Sequence, residues 1–214
     1  MRNGPDRASA SVRPVAPVVN AAVPVLGQGH VARNFVGGEW RLPRHGYEID
    51  VYAPTSIEEL GSVPRSAAAD ADDALDGARA ALRHDIGAIV RARAGKFCET
   101  VRARAAEVAR VEHVDSGAPL EFATRTVHAS VSWMEEMLPR EHGADVAACG
   151  CSAWILPAYA PFWLYCSQVF AALLTGHAVV LKPSSTTPLT AVCFAEMIAD
   201  LDLAIIHNLR CPRS

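Results

Sequence analysis

Side chains suited to binding a ligand follow an apolar run in the last quarter of this 214-residue chain. Lys182 comes directly after residues 177–181, and Ser184 and Ser185 follow closely. A long cation with three proton donors suits a ribose hydroxyl or a phosphate group. If the apolar run is a parallel strand, these side chains lie at the carboxyl end of a sheet, which is where open α/β sheets bind their ligands. The alternative is a solvated lysine that merely closes a strand.

Cysteine thiols are the other side chains with potential chemistry. Cys149 and Cys151 lie one residue apart but lack a second pair, and the eight histidines are scattered without ligand spacing. We therefore predict no metal site. We expect buried apolar thiols at each of the cysteines: Cys98, Cys149, Cys151, Cys166, Cys193 and Cys211.

Two strands and a helix are needed to position the ligand-binding side chains. Residues 152–156 form a short apolar run that Pro157 ends. Residues 162–175 are apolar at almost every turn, which predicts a helix buried nearly all round. Gly176 fits the left-handed residue that often follows a helix. With residues 177–181 as a second strand, the segment predicts a βαβ unit.

The apolar run at residues 162–181 also has the length of a membrane span. Pro157 and Pro161 precede it, polar residues such as Gln168 interrupt it, and no loop rich in lysine or arginine flanks it. A buried α/β core is therefore the better interpretation, and we expect no contact with a membrane.

Composition narrows the class of protein further. Half of the residues are hydrophobic, which is enough for a sizeable core. The net charge of −3, from 20 basic and 23 acidic residues, leaves no basic footprint for nucleic acid. Cysteines at irregular spacing, without a secretory leader, are typical of a reducing compartment, so we expect a cytoplasmic protein.

The chain before this unit predicts a β hairpin, further strands and several helices. Adjacent glycines at Gly37 and Gly38 accept the positive φ angles of a tight hairpin turn. Residues 47–53 alternate, with Tyr47, Ile49 and Val51 expected to face inward. Helical periodicity marks residues 69–82, residues 86–114 with a weak interruption at Gly95, residues 119–138 and residues 189–203, and residues 203–206 could form one more strand.

The predicted domain organisation has three parts. Residues 1–30 are rich in proline, valine, alanine and serine, and the prolines break each apolar stretch, so we predict a disordered tail. Residues 31–203 form the folded part. Residues 204–214 are predicted to be an irregular end.

Several motifs resemble those of the aldehyde dehydrogenase superfamily. The run W-I-L-P-A-Y-A-P from Trp154 is similar to a strand that ends in P-W-N-F-P. The run G-H-A-V-V-L-K-P-S from Gly176, with T-P-L-T from Thr187, is similar to G-N-x-V-V-L-K-P-S-E and T-P-L-T. Earlier, F-V-G-G-E-W from Phe35 and D-S-G-A-P-L from Asp115 resemble Y-I-x-G-E-W and E-T-G-K-P-L.

The resemblance implies an α/β protein with a partial aldehyde dehydrogenase-like fold. The expected architecture is an incomplete doubly wound parallel sheet preceded by a short β hairpin and helices, which is the N-terminal part of an NAD(P)-binding domain. In the family the lysine of L-K-P-S reaches the adenosine ribose or its 2′-phosphate. The positions implied to contact the cofactor are Ile155, Leu156, Pro157, Ala158, Tyr159, Lys182, Ser184 and Ser185.

The resemblance also implies that catalysis is impaired. Tyr159 stands where the family's asparagine donates its amide to the developing oxyanion, and Ser185 stands where the family often has a glutamate that grips the ribose. The family's cysteine nucleophile and glutamate base come from the half that follows the matched part. We therefore expect no catalytic residue here, weak or vestigial binding of NAD or NADP, and no aldehyde oxidation by this chain alone.

Two interpretations of function stay open. The first is the cofactor-binding part of an NAD(P)-dependent aldehyde dehydrogenase, inactive alone or completed by a second chain with the C-terminal part. The second is a non-catalytic binding or interaction module derived from that fold. The family's β arm, which helps to join subunits, is reduced here to residues 139–148, so a homo-oligomer would need other contacts.

Overall fold

The computed structural model describes residues 33–138, 150–200 and 206–208, and for the last three residues the backbone alone. Within these residues the strands are β1 (Asn34–Val36), β2 (Glu39–Arg41), β3 (Glu48–Tyr52), β4 (Glu59–Pro64), β5 (Cys151–Ile155), β6 (Ala178–Lys182) and β7 (Ile206–Asn208). The helices outside the βαβ crossover are α1 (Ala68–Ala81), α2 (Ile86–Ala103), α3 (Ala105–Ser116), α4 (Leu120–Met137) and α7 (Leu189–Ala199).

The crossover helix between β5 and β6 is continuous but not uniform. It consists of α5 (Pro161–Leu164), a π-helical segment (Tyr165–Phe170) and α6 (Ala171–Leu174). None of its residues is exposed, as the apolar run predicted. Gly176 follows with a φ of 87°, in the left-handed region that glycine adopts without strain.

The main sheet has the strand order β2-β1-β7-β6-β5. β5 pairs in parallel with β6, and β6 pairs in parallel with β7. β1 is antiparallel to both β2 and β7. Across the sheet, the three parallel strands lie in the order β7, β6, β5, which is the reverse of their order in the chain. This arrangement is one half of a doubly wound sheet. The predicted α/β class and the βαβ unit are confirmed.

Stacked aromatic rings join the crossover helix to the helices around it. Phe170 stacks on Phe97 of α2 with ring centroids 5.6 Å apart. Phe97 also meets Phe194 of α7 edge-on at 5.8 Å. All three side chains are almost completely buried, and burial of each contributes roughly 2 kcal/mol. This cluster fixes the crossover helix relative to α2 and α7.

The hairpin and the separate β3-β4 sheet agree with the prediction except at one side chain. Gly37 and Gly38 have φ angles of 62° and 82°, which suit a primed two-residue turn. β3 pairs antiparallel with β4, and Val51 is buried as predicted. The inward prediction for Tyr47 is wrong, because its side chain is 46% exposed. It precedes the first strand residue, so the alternation of the strand does not govern it.

The long helix predicted over residues 86–114 breaks at a different place. The break lies at Arg104, with φ −99° and ψ 11°, whereas Gly95 lies within α2. Glycine within a helix costs about 1 kcal/mol relative to alanine. Buried residues on both sides of Gly95, including Val90 and Phe97, outweigh that cost.

Several expectations fall outside the described residues. These are the tail at 1–30, the shortened arm at 139–148 and most of the end at 204–214. α7 ends at Ala199, and residues 201–205 are not described, so only Ile206 of the predicted strand at 203–206 is seen, as the first residue of β7. No helix among the described residues is long and apolar enough to cross a membrane.

Candidate functional site

The carboxyl ends of β5 and β6 lie side by side. Ile155 pairs in register with Lys182, and the Leu156 backbone N donates to the Lys182 carbonyl at 3.2 Å. The turns that follow the two strands therefore start next to each other. We call these turns, residues 155–160 and 182–187, the carboxyl edge. It contains all eight positions predicted to contact a cofactor.

Lys182 is the cation of the carboxyl edge. Its side chain is half-buried, and its Nζ lies 3.4 Å from the Pro183 carbonyl oxygen. That distance is long for a hydrogen bond to an ammonium group. The lysine can therefore turn its donors toward a ligand at little cost.

The two predicted serines differ in what they can reach. Ser184 is buried, its Oγ lies 2.8 Å from Thr186 Oγ1, and it accepts a hydrogen bond from the Thr186 backbone N at 3.3 Å. Its hydroxyl therefore shapes the turn. Ser185 is half-exposed, so its hydroxyl is the more accessible of the two.

The turn after β5 alternates between exposed and covered residues. Ile155 is 76% exposed and Tyr159 is 72% exposed, whereas Leu156 is buried. The ring of Tyr159 lies 6.0 Å from the ring of Phe122 on α4, at 48°. This contact holds the phenol beside α4. Ala160, next in the chain, has a left-handed φ of 42°, which is strained for a residue other than glycine.

A buried carboxylate supports this turn from α3, and sequence reasoning missed it. Glu112 is fully buried, and its Oε2 accepts a hydrogen bond from the Phe162 backbone N at 3.0 Å. Its Oε1 lies 3.3 Å from Thr126 Oγ1, whose single proton has a closer acceptor in the Ala123 carbonyl at 2.8 Å. Burial raises the pKa of Glu112 to about 7, against the lowering effect of the hydrogen bond from the Phe162 backbone N.

A second buried carboxylate from α3 supports the turn after β6. Asp115 Oδ2 accepts hydrogen bonds from both the backbone N and Oγ1 of Thr190, at 2.8 Å each. Thr190 lies in the first turn of α7, so Asp115 caps that helix. A signal for both acids exists in the sequence, since Glu112 and Asp115 occupy the apolar stripe of α3 with Val108 and Val111, where a charge needs a partner.

The donors at the carboxyl edge fit one part of a dinucleotide better than another. A phosphate bound at a helix N-terminus needs free backbone N–H groups. Phe162 N and Thr190 N already donate to carboxylates, and the charge of these acids opposes a phosphate. Lys182 and Ser185 can donate to a ribose hydroxyl or a 2′-phosphate. The residues present therefore fit the adenosine ribose better than a phosphate, because one amide at each of these helix starts already donates to a carboxylate.

The thiols within the described residues are not prepared as nucleophiles. Burial raises the pKa of Cys98 to about 11 and that of Cys193 to about 12, and it raises the pKa of Cys166 well above its ordinary value. Cys151 is half-buried, and burial raises its pKa as well. A thiol must lose its proton to attack a carbonyl, so these groups are poor nucleophiles at neutral pH.

The burial of the cysteines differs along the chain. Cys98, Cys166 and Cys193 are buried as predicted, and Cys151 is partly covered. Cys149 and Cys211 lie outside the described residues. In the part of the chain that the structure describes, no group of three or more histidine, cysteine, aspartate or glutamate side chains could hold a metal ion.

The strand order and the parallel pairing of β5, β6 and β7 define one half of a doubly wound α/β domain. A sequence model described as the aldehyde dehydrogenase family matches residues 40–205. This match covers most of the chain, and the chain belongs to the aldehyde dehydrogenase family.

Two curated relatives illustrate the extent of the likeness. A fluoroacetaldehyde dehydrogenase of Streptantibioticus cattleyicolor is 29% identical over 78% of this chain and 37% of its own length. A 3,6-anhydro-alpha-L-galactose dehydrogenase of Streptomyces coelicolor is 31% identical over 81% of this chain and 38% of its own. The chain thus spans less than two fifths of the length of these relatives.

Solved structures give the same picture. Aldehyde dehydrogenase C of Pseudomonas syringae, a mutant in complex with NAD+ and octanal, has a TM-score of 0.77 and 26% identity, and the likeness covers 90% of this chain and 43% of that one. An aldehyde dehydrogenase of Bartonella henselae has a TM-score of 0.77 at 22% identity, over 85% of this chain and 43% of that chain. The partial aldehyde dehydrogenase-like fold is confirmed.

Proposed function

We propose that this chain supplies the adenosine-ribose side of an NAD(P) site in an aldehyde dehydrogenase-like protein and does not oxidise aldehydes by itself. The observation that carries the proposal is the register of Ile155 with Lys182, because it brings the turn after β5 next to the turn that contains Lys182 and Ser185. Binding is expected to be weak, since one backbone amide at each helix start of that edge already donates to Glu112 or Asp115.

The roles of the residues follow from their positions. Lys182 donates to a ribose hydroxyl or to a 2′-phosphate, and Ser185 adds one neutral hydrogen bond. Leu156 and Ala158 cover the face of the ligand beside β5. NAD(P)+, when bound, supplies the acceptor for the hydride that leaves an aldehyde carbon. This chain's contribution is to bind and orient the adenosine end.

The state of the thiols and the residue at the expected oxyanion-donor position support a chain that is inactive alone. Oxidation of an aldehyde through a thiol needs a thiolate near a donor for the oxyanion. The pKa of each thiol in the described region is raised, and Tyr159 packs beside Phe122 at the position of the expected oxyanion donor. We place the chain in the cytoplasm, because a reducing compartment suits the free thiols.

A partner is proposed at the open side of the sheet. Among the described strands β5 pairs only with β6, and Ala153 and Ile155 are exposed. In a doubly wound sheet the fourth strand lies beside the first, which is the position next to β5. We therefore expect β5 to accept a strand from a polypeptide equivalent to the unmatched part of the relatives. A homo-oligomer through the same edge is the competing arrangement.

The experiment that tests the cofactor role uses the two lysines of the chain. Binding of NAD+, NADP+ and 2′-AMP would be measured calorimetrically for the wild type, Lys182→Met and Lys96→Met. Lys96 is exposed on α2, so its substitution is the matched control. We expect Lys182→Met to weaken binding about tenfold, as loss of a charged hydrogen bond does, and Lys96→Met to leave it unchanged. Equal effects of the two substitutions would contradict the cofactor role.

The second candidate function is a non-catalytic interaction module. The exposed Ile155 and Tyr159 at the carboxyl edge favour it, because large apolar side chains clustered at a surface mark contact sites. Co-purification with an aldehyde dehydrogenase C-terminal part that restores NAD(P)-linked turnover would support the split enzyme. A stable complex without turnover would support the module.

A further inference from the structure

The N-terminus of the crossover helix has an unusual need for a hydrogen-bond acceptor. Pro161 has no backbone N–H, so the first amide available at that end belongs to Phe162. Both residues are buried, so water cannot satisfy this amide. The preceding residue, Ala160, adopts a left-handed conformation that its own side chain disfavours. Something outside the helix must therefore hold this turn in place.

Glu112 meets that need from a distant part of the chain. It lies 50 residues before Phe162, is fully buried, and accepts the Phe162 amide at 3.0 Å. Its other oxygen lies 3.3 Å from Thr126 Oγ1 of α4, so a second helix contacts the same carboxylate. A buried acid oriented in this way costs desolvation, so its position requires a compensating role.

We propose that Glu112 is a positioning residue that holds the turn of residues 156–160 beside Lys182. The turn is fixed at one end by the bond from Leu156 N to the Lys182 carbonyl and at the other by the bond from Phe162 N to Glu112. Loss of the second bond frees Ala160 to leave its strained conformation. Tyr159 and Ala158 then lose their fixed place at the carboxyl edge. This inference rests on the proposed function only for the identity of the ligand that binds at the carboxyl edge.

Asp115 provides a matched comparison within the same helix. It lies one turn after Glu112 and performs the equivalent role for Thr190 at the start of α7. α3 therefore holds the start of the helix after β5 and the start of the helix after β6, with one acid for each. Removal of Glu112 is expected to loosen the helix start at Phe162 and not that at Thr190. Removal of Asp115 is expected to do the reverse.

The ionisation of Glu112 offers an independent readout. Burial raises its pKa to about 7, so its charge changes near neutral pH. The ionisable groups that interact with it among the described residues are Asp115 on α3 and the Cys166 thiol of the crossover helix, while α4 contributes the neutral Thr126. An ionised carboxylate is the stronger acceptor for the Phe162 amide.

The test measures backbone amide hydrogen exchange by NMR in the full chain, without any dinucleotide. We expect Glu112→Ala to speed exchange at Phe162 and Leu164 about tenfold more than at Thr190, and Asp115→Ala to do the reverse. Glu112→Gln should restore most of the protection, because its amide oxygen can still accept from Phe162. Equal acceleration at both helix starts, or no rescue by Glu112→Gln, would overturn the proposal.

A second measurement needs no destabilising substitution. In the wild type the Phe162 amide resonance should shift with an inflection near the pKa of Glu112, and the inflection should vanish in Glu112→Gln. A Phe162 resonance that is flat across neutral pH would also overturn the proposal. Both measurements are made without a dinucleotide. A failure of dinucleotide binding would therefore count against the proposed function and would not affect the test of Glu112.

Discussion

Asp115 and Thr190 are joined by two hydrogen bonds of 2.8 Å although 75 residues separate them in the chain. The bonds tie the end of α3 to the start of α7, and both residues are fully buried. Glu112 makes the corresponding bond to Phe162. The candidate site is therefore held by two acids from a preceding helix as well as by the pairing of β5 with β6.

The Asp115–Thr190 pair predicts a measurable stability cost. Thr190→Val keeps the shape of the side chain but removes one buried donor, which should lower the free energy of unfolding by about 1–2 kcal/mol. Asp115→Ala leaves two buried donors without their acceptor and should cost about 3 kcal/mol. Urea denaturation would measure both. The control is Thr124→Val on the exposed side of α4, which should cost below about 0.5 kcal/mol. A cost at Thr190 no larger than at Thr124 would contradict the pairing.

The raised pKa of Glu112 predicts a pH dependence of stability. The folded chain binds this proton more tightly than the unfolded chain, whose glutamate has its ordinary value of 4.5. The stabilisation is fully present below that value and is lost as the pH rises through about 7, by roughly 3 kcal/mol in total.

Denaturation at about pH 5 and about pH 8 would measure this loss, with Glu112→Gln as the comparison. The variant should lack this part of the pH dependence, because its side chain does not ionise. An unchanged pH profile in Glu112→Gln would show that another group is responsible.

The turn between β3 and β4 predicts a stabilising substitution. Ile57 has a φ of 59° and is 82% exposed, so a β-branched residue occupies a left-handed position without burying its side chain. Ile57→Gly should raise the free energy of unfolding by about 1 kcal/mol, because relief of strain exceeds the entropy cost of glycine.

Ile57→Ala is the matched control for that substitution. It removes the exposed side chain but keeps most of the backbone strain, so its effect should be smaller than that of Ile57→Gly. Thermal denaturation of the three proteins would give the order. If the alanine variant gained as much as the glycine variant, the backbone would not be the cause.

The raised pKa values of the thiols predict no turnover. The purified chain should produce no reduced nicotinamide from NAD+ or NADP+ with a simple aldehyde, because burial raises the pKa of the described thiols, which are Cys98, Cys151, Cys166 and Cys193. Absorbance of the reduced cofactor would measure this. Turnover that disappeared when a single cysteine was replaced by serine would contradict the account.

The sequence predicted elements whose signals are local. The βαβ unit followed from an apolar run ended by Pro157 and Gly176, and the hairpin turn followed from Gly37 and Gly38. The break at Arg104 was missed because local propensity favoured Gly95, while packing around α2 decided the outcome.

The strand ends of the candidate site could be predicted from the sequence. The buried acids that support the two turns could not. Lys182 could be placed at a strand end by its position after an apolar run, and the structure adds its register with Ile155. Glu112 and Asp115 were missed because their partners lie 50 and 75 residues away. Acids on an apolar helix stripe were the available signal, but pairing across such distances depends on the tertiary fold.

The most direct measurement uses the only two lysines of the chain, Lys96 and Lys182. After reductive methylation with a carbon-13 label, each lysine gives a separate NMR signal, and Lys96 serves as the internal reference. We predict that NAD+ or 2′-AMP shifts the Lys182 signal in a saturable way and leaves the Lys96 signal in place. If both signals stay unchanged at saturating ligand, or if they shift together, the carboxyl edge does not bind the adenosine ribose.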